Sequence, residues 1–147
     1  MKKVFYRAAS LIALVWLLAW TSACDDDDKP ANPQEQIKKT WRIGAAGFVK
    51  KDGANVTSEY INLVITLNND GTYQTSNAKK LFFPSGSWSW VGTDTNQITI
   101  DGDLPVTIIE LTKSTLRIEF VMDEDHVNAA GRAKAVLGTY QLSLEAQ

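Results

Sequence analysis

Apolar and polar residues alternate along much of the chain that follows Pro33. The clearest stretch is Tyr60–Leu67, where one face is apolar and consists of Ile61, Leu63, Ile65 and Leu67. Because successive side chains of a strand point to opposite faces, a period of two is typical of a strand with one buried face. The pattern therefore predicts a β-strand over Tyr60–Leu67.

A tight turn is predicted directly after this strand. The segment Asn69-Asp70-Gly71 contains an Asp-Gly pair, and this pair tolerates the positive φ angles that two-residue hairpin turns need. The sequence therefore predicts a β-hairpin, with Gly71–Asn77 as the second strand and Tyr73 on its inward face.

Other short segments with one apolar face lie between polar turn residues, which is the pattern of further strands. They are Trp41–Val49, Gly86–Val91, Gln97–Ile100, Val106–Thr112, Thr115–Met122 and Leu137–Leu144. The first of them is irregular, and its residues Gly44 and Gly47 indicate a bend or a bulge. A short helix is predicted just before it, over Gln34–Lys39.

About eight short strands in sequence-local hairpins predict an all-β fold. Closing such a meander into an up-and-down antiparallel β-barrel removes the exposed strand edges and buries every apolar face together. A two-sheet β-sandwich is the alternative. A membrane barrel is disfavoured, because its strands need about 9–11 residues and most of these segments are shorter.

The inward faces of the predicted strands are mostly apolar and aromatic. They hold Trp41, Ile61, Leu63, Ile65, Tyr73, Trp88, Trp90, Ile98, Ile100, Leu116, Ile118, Phe120, Tyr140 and Leu142. The candidates for lining a ligand pocket are the aromatic members Trp41, Tyr73, Trp88, Trp90, Phe120 and Tyr140. A filled core is the alternative, because an eight-stranded barrel is just wide enough for its own side chains. No Lys or Arg is placed inward by the pattern, so a fatty-acid carboxylate would lack an evident partner.

The first residues have the composition of a secretory signal peptide. A basic segment, Met1–Arg7, precedes an apolar run, Ala8–Trp20, and small residues lead from that run to Cys24. This order is typical of a cleaved signal, predicted here over residues 1–23, and the run is shorter than the roughly 20 residues of a spanning helix. Ser22-Ala23-Cys24 resembles the lipobox of bacterial lipoproteins. The resemblance implies that Cys24 becomes the lipidated N-terminus and anchors the chain to a membrane.

Residues 24–36 are predicted to form a flexible tether to a domain over 37–147. The four acids Asp25–Asp28 follow Cys24 directly, and their mutual repulsion keeps the chain extended and solvated. Acidic residues at this place resemble the surface-export signal of Bacteroidota lipoproteins, which implies the outer membrane and the cell surface. They also resemble the inner-membrane retention signal of proteobacteria, and a periplasm-facing anchor is the alternative.

Composition weakens several classes of function. The 147 residues include one Cys and one His, and the formal net charge is -2. One Cys cannot form an internal disulfide, and together with one His it is too few for a zinc cluster. The charge gives no basic footprint for nucleic acid. No Ser or Cys nucleophile is placed with His126. We therefore expect no catalysis, no cofactor, no metal and no nucleic-acid partner.

Three loop segments carry open alternatives. The acids of Asp123–His126 offer oxygen ligands for calcium, but they lack the spacing and the Gly of a calcium loop, so a solvated acidic loop is predicted. Asn128–Val136 is predicted to be a connector, with a lid over the barrel as the alternative. Lys79–Pro84 contains Phe82 and Phe83. It is either an exposed contact patch or a plug in one end of the barrel.

The chain as a whole resembles the lipocalin-like small lipoproteins of Bacteroidota. The segments that carry the resemblance are the short helix before Trp41, Leu67–Tyr73, Gly86-Ser87-Trp88, Asn96-Gln97-Ile98 and Gly138–Leu142. The resemblance implies an eight-stranded barrel with a central pocket for a small apolar molecule. The function expected is therefore membrane-anchored, non-catalytic binding of a small hydrophobic ligand or of a protein partner. The alternative is a filled-core accessory or structural subunit of a cell-surface assembly.

Overall fold

Antiparallel strands account for most of the fold in a computed structural model that describes residues 32–129 and 137–147. The predicted signal peptide, Cys24 and the tether up to residue 31 lie outside the described residues, and so do residues 130–136 of the predicted connector. The described residues belong to one unit, Ala31–Gln147.

The strands and helices follow one another along the chain. The strands are β1 (Thr40–Arg42), β2 (Phe48–Lys51), β3 (Ala54–Asn55), β4 (Val64–Leu67), β5 (Thr72–Ser76), β6 (Ser85–Trp90), β7 (Gln97–Ile100), β8 (Leu104–Leu111), β9 (Thr115–Met122) and β10 (Gly138–Ala146). The helices are α1 (Pro33–Gln36) and α2 (Glu124–Ala129), with a single 3₁₀ turn at Thr57–Glu59.

The sheet closes on itself into an eight-stranded antiparallel barrel. From β4 to β10 each strand pairs with the next one in sequence, which is an up-and-down order. β1 then joins the two ends of this meander, because Trp41 is paired with Ile65 of β4 on one side and with Ala146 of β10 on the other. The predicted barrel is confirmed, and the chain does not adopt the alternative β-sandwich.

β1 and β2 together occupy one position in the barrel wall, because both pair with β10. The chain bends between them at Gly44–Gly47, where the Gly47 N–H donates to the Gly44 carbonyl at 3.1 Å. A Cβ at Gly47 would lie 2.8 Å from the Gly44 nitrogen and 2.9 Å from the Ser143 carbonyl oxygen. Only glycine fits this close approach, and the predicted bend is confirmed. The sequence pattern did not predict β3, which pairs with β2 alone.

The core is formed by the inward faces of the strands, as the period of two predicts. In β8 and β9 every second residue is buried: Leu104, Val106, Ile108, Leu116, Ile118, Phe120 and Met122. Among the largest side chains with less than 2% exposure are Trp41, Tyr73 and Tyr140. Burial of these apolar surfaces is the main favourable contribution to the stability of the barrel.

The predicted strand Tyr60–Leu67 begins too early, because β4 begins only at Val64. Ile61 is 60% exposed, whereas Tyr60 is buried. The physical reason is the 3₁₀ turn at Thr57–Glu59 and the turn that follows it, where the Leu63 N–H donates to the Tyr60 carbonyl at 2.8 Å. Residues in a turn do not alternate between two faces, so the period of two cannot be extended back from β4.

The barrel has two different ends. The closed end consists of α1, Ile37 and the turns at 68–71 and 112–114. Two hydrogen bonds connect these segments. The Leu67 N–H donates to the Lys39 carbonyl at 3.1 Å, and Lys39 Nζ donates to the Lys113 carbonyl at 3.0 Å. The open end consists of residues 52–63, the loop 77–84 and α2. The predicted helix before β1 is confirmed but ends earlier, at Gln36.

Candidate functional site

A cavity of about 540 Å³ opens at the open end of the barrel. We call it the mouth cavity. It is lined by Lys51, Val56, Glu59, Tyr60, Lys79, Lys80 and Tyr140. Its volume lies within the range of small-molecule pockets, about 300–1,000 Å³.

The floor of the mouth cavity is aromatic. Tyr60 and Tyr140 are both buried, and their hydroxyl groups lie close enough for each to influence the pKa of the other. The Tyr140 ring stacks on Phe120, with centroids 5.5 Å apart and an angle of 15° between the planes. Phe120 in turn contacts Phe82 at 5.3 Å. Tyr140, Phe120 and Phe82 therefore form one connected group of aromatic rings that belongs to the core.

Both tyrosines of the floor are held in the neutral form. Burial raises the pKa of Tyr60 above its ordinary value, and the charge of Glu59 raises it further. Burial is also the largest cause of the raised pKa of Tyr140, followed by its interactions with Tyr60 and by the charges of Asp52 and Glu59. Desolvation and nearby negative charge both disfavour a phenolate. The floor therefore presents hydroxyl groups at neutral pH.

The rim of the mouth cavity carries more positive than negative charge. Lys79 lies over the Tyr60 ring, with Nζ 5.2 Å from the centroid, and its Nζ is 3.4 Å from Glu59 Oε2. Within residues 32–129 and 137–147, Lys51 and Lys80 take part in no ion pair. The lining thus contains three lysines and one glutamate, and that glutamate is already paired.

The loop 77–84 presents two of these lysines. Ala78, Leu81 and Phe82 are buried, so the backbone between them must turn outward at Lys79 and Lys80. Lys79 has a φ of 51°, in the left-handed region where a non-glycine residue is uncommon. The two interpretations of Lys79–Pro84 are thereby decided: Phe82 plugs the open end, and the segment is not an exposed aromatic patch.

Hydrogen bonds from neighbouring segments fix the loop at both of its ends. Thr75 Oγ1 donates to the Phe83 carbonyl at 2.7 Å, and Asn77 Nδ2 donates to the Asn62 carbonyl at 2.9 Å. The two lysines are therefore held on the same side of the barrel as Tyr60.

The six aromatic candidates from the sequence are divided among three places. Tyr140 lines the mouth cavity. Trp88 and Trp90 line a smaller cleft of about 270 Å³ at the closed end, together with Gln34, Lys38, Asn69, Gly71 and Ser89. Trp41, Tyr73 and Phe120 are buried in the core and line neither of these two cavities.

Most of the polar tips of these aromatic residues have protein partners. The indole N–H of Trp41 donates to the Ile37 carbonyl at 2.9 Å, and that of Trp88 donates to the Asn68 carbonyl at 3.2 Å. Tyr73 donates to Asp101 Oδ2 at 2.7 Å. Among the residues that the structure describes, Trp90 Nε1 is buried without a hydrogen-bond partner.

The lysines of the mouth cavity were not among the sequence candidates. Lys51 ends β2, and Lys79 and Lys80 lie in a loop far away in sequence. They meet Tyr60 only because the closed barrel brings these segments to one end. The sequence did contain one signal, since Lys79-Lys80 stands directly before the buried Leu81 and Phe82, but it could not indicate which face the lysines would take.

The acidic side chains of Asp123–His126 are exposed, as predicted. The segment is not a loop, however, because it leads into helix α2. Asp123 Oδ1 accepts the backbone N–H of His126 at 3.0 Å and lies 2.5 Å from Nδ1 of the His126 ring. These hydrogen bonds lower the pKa of Asp123. In the described part of the chain, no three His, Cys, Asp or Glu side chains are grouped to hold a metal ion.

Comparison of the chain with protein-family models, with curated proteins and with solved structures finds no match in any of the three. Over the described residues, no helix has the length and apolar character needed to cross a membrane.

Proposed function

We propose that this protein is a non-catalytic binding protein that takes a small, partly apolar ligand in the mouth cavity. The observation that carries the proposal is the contrast between the two ends of one closed barrel. The closed end is sealed by Ile37 and Trp41, both of them fully buried, whereas the open end contains a cavity of about 540 Å³. A concave site with an aromatic floor and a few polar groups is the usual form of a small-molecule pocket.

The signal sequence supports a location for this binding protein. Lipidation of Cys24, cleavage before it and the acidic tether of Asp25–Asp28 would place the barrel on the outer membrane, at the cell surface. A periplasm-facing anchor is the alternative. The resemblance to lipocalin-like Bacteroidota lipoproteins agrees with both the anchor and the barrel.

A second function is favoured by the packing of the core. Trp41, Tyr73 and Phe120 were candidates for a central pocket, and each is at most 2% exposed. Side chains packed in this way leave the barrel axis to the protein itself. An accessory subunit of a surface assembly needs no cavity, and it would use the outer loops to contact a protein partner.

Native mass spectrometry of residues 31–147, which contain the whole closed barrel, separates the two functions. We expect the chain to acquire a reproducible mass of a few hundred daltons after exposure to an envelope extract and repurification. The variant Val56→Trp fills the mouth cavity and should abolish the added mass. Its matched control, Ser89→Trp, adds a similar side chain at the cleft of the closed end and should keep it.

The opposite results have equally clear meanings. Loss of the added mass in Ser89→Trp alone would move the binding site to the closed end. A bare mass for the unchanged chain under all conditions would favour the accessory subunit.

The anchor has its own test. The full-length precursor, expressed in a bacterial host fed with labelled palmitate, should incorporate the label into the membrane fraction. Cys24→Ser should remain unlabelled and unprocessed. A labelled Cys24→Ser protein would contradict lipidation at this residue.

A further inference from the structure

We infer that the mouth cavity recognises small organic anions, with a carboxylate or phosphate group held by the rim lysines and an apolar body resting on the tyrosine floor. This inference rests on the proposed function and names the chemical class of its ligand. It replaces the expectation of a purely apolar ligand in the middle of the barrel.

The first argument is the balance of charge around the mouth cavity. Three lysines line it against one glutamate, and the Glu59 carboxylate already has Lys79 as a partner at 3.4 Å. Lys51 and Lys80 are left without an ion pair in the described part of the chain. A bound anion would supply negative charge beside these lysines, and a hydrogen bond between two charged groups is stronger than one between neutral groups.

Three carboxylates near the open end accept hydrogen bonds within the protein and lie outside the lining of the mouth cavity, although the charge of Asp52 still reaches Tyr140. Asp52 is the neighbour of Lys51, and its Oδ1 accepts the Thr139 N–H at 2.8 Å. Asp101 accepts hydrogen bonds from Tyr73 and from the Ser87 N–H, and Asp123 is engaged at the start of α2. None of these three carboxylates is among the residues that line the mouth cavity.

The second argument is the pair of hydroxyl groups on the floor. Each phenol has one proton to donate. Even if the two hydroxyl groups share one proton between them, the pair still has a second proton to offer to an oxygen of the ligand. Because both hydroxyl groups are neutral at pH 7, they do not repel an anion.

The third argument is the apolar surface between these polar groups. Val56, Tyr60 and Tyr140 contribute apolar atoms to the lining of the cavity. Lys79 packs against the Tyr60 ring, with Nζ 5.2 Å from its centroid. Phe82 and Phe120 are buried beside Tyr140, so the protein's own side chains fill this part of the barrel. A compact ring system therefore fits the mouth cavity better than a long acyl chain, which would have to extend along the barrel axis.

Two fluorescent probes with the same body test the inference. They are 1-anilinonaphthalene-8-sulfonate, which is an anion, and N-phenyl-1-naphthylamine, which is neutral. We expect residues 31–147 to bind the anion about tenfold more tightly, as one charge-assisted hydrogen bond predicts. The preference should shrink as the salt concentration rises from 0.05 to 0.5 M, because salt screens the rim charges.

Substitutions of the rim residues test whether the preference for the anionic probe arises in the mouth cavity. Lys51→Gln combined with Lys80→Gln should reduce the affinity for the anionic probe about tenfold or more and leave the neutral probe within twofold. Glu59→Gln should change the affinity in the other direction, since it releases Lys79 from its partner. Lys113→Gln, at the closed end, changes the net charge in the same sense as the rim lysine substitutions and should have no effect. Far-ultraviolet circular dichroism and the melting temperature confirm that all variants are folded.

Displacement of the bound probe identifies the anionic group. 1-Naphthoic acid offers a carboxylate and 1-naphthyl phosphate offers a phosphate on the same ring. Displacement of the probe by 1-naphthoic acid or by 1-naphthyl phosphate, at concentrations where neutral 1-naphthalenemethanol has no effect, supports the inference. The compound that displaces the probe shows whether the cavity prefers a carboxylate or a phosphate.

Failure of the anion preference and failure of the proposed function give different results. Equal affinity for both probes, unchanged in the double lysine variant, overturns the anion preference and leaves a general binding site. Binding of neither probe, together with a bare mass after exposure to the envelope extract, overturns the proposed function itself.

Discussion

The two ends of the barrel are built from different kinds of residue. At the closed end, apolar side chains point inward, and the indole N–H groups of Trp41 and Trp88 donate to the carbonyls of Ile37 and Asn68 at 2.9 and 3.2 Å. At the open end, lysines and tyrosine hydroxyl groups surround a cavity. Both ends use the same strands, so the difference comes from the segments that connect them.

The comparison teaches where this fold can accommodate a ligand. A helix of four residues and one isoleucine are enough to close one end, because the barrel is narrow and Trp41 fills it. The other end has longer connections, and these provide charged and polar side chains without disturbing the wall. Stability should therefore be concentrated at the closed end and ligand selectivity at the open end.

The largest effect is expected from Trp41→Ala. Trp41 is fully buried and is paired with both β4 and β10, so its loss should reduce the free energy of unfolding by about 3–5 kcal/mol. Urea denaturation followed by circular dichroism measures the change. Trp41→Phe, which keeps most of the volume, should lose clearly less. A change below about 1 kcal/mol for Trp41→Ala would show that the closed end does not hold the barrel together.

Phe82→Ala should have a smaller effect on stability, about 2–3 kcal/mol, because water can enter the space at an open end and no closed cavity remains. Phe82 is 5% exposed and contacts Phe120. The deeper cavity should also bind larger apolar probes more tightly, which fluorescence titration measures. A loss of unfolding free energy equal to that of Trp41→Ala, without tighter binding of apolar probes, would contradict the distinction between the two ends.

Alkaline pH should weaken the open end in particular. The pKa values of Tyr60 and Tyr140 are raised in the folded protein, so the unfolded chain loses these protons first, near its ordinary pKa of 10.0. This contribution to stability is complete below pH 10 and decreases as the pH rises above it. Urea titrations between pH 9 and 11 should show a shallower decline in the double variant Tyr60→Phe, Tyr140→Phe. Below pH 9, where both phenols are protonated in the folded and the unfolded chain, the difference in stability between the variant and the unchanged chain should stay constant, and this range serves as the control.

The smallest effect is expected from Asn32→Ala at the beginning of α1. The Asn32 side chain accepts the Gln34 N–H at 3.0 Å, and loss of such a cap typically costs about 1 kcal/mol. Hydrogen exchange of the Gln34 amide should become faster, while that of the open end stays unchanged. Asn32→Asp, which keeps the accepting oxygen, should behave like the unchanged chain.

The sequence predicted the barrel well because the evidence for it is local. Each strand has its own alternation, and the Asp70-Gly71 turn identifies a hairpin from two residues, with a φ of 78° at Gly71. The order of such hairpins is enough to indicate an up-and-down arrangement. Closure follows from the need to bury each apolar face and to remove the strand edges.

The candidate site was predicted less well because it is not local. Lys51 ends β2, Tyr60 lies in the segment between β3 and β4, and Lys79 lies between β5 and β6, so no short pattern relates them. The sequence candidates were aromatic residues, but a buried aromatic ring can belong to a filled core as well as to a ligand pocket. Tyr140 is the one aromatic candidate that lines the mouth cavity, and its partner Tyr60 was assigned to a strand that begins four residues later, at Val64.

The pairing of β1 with β10 has a consequence for the time course of folding. Trp41 lies opposite Ala146, and the Gln147 N–H donates to the Thr40 carbonyl at 3.0 Å. Hairpins can form as soon as their two strands have been made, but the barrel cannot close before β10 exists, and contacts so distant in sequence form slowly. The chain therefore stays open during most of its synthesis.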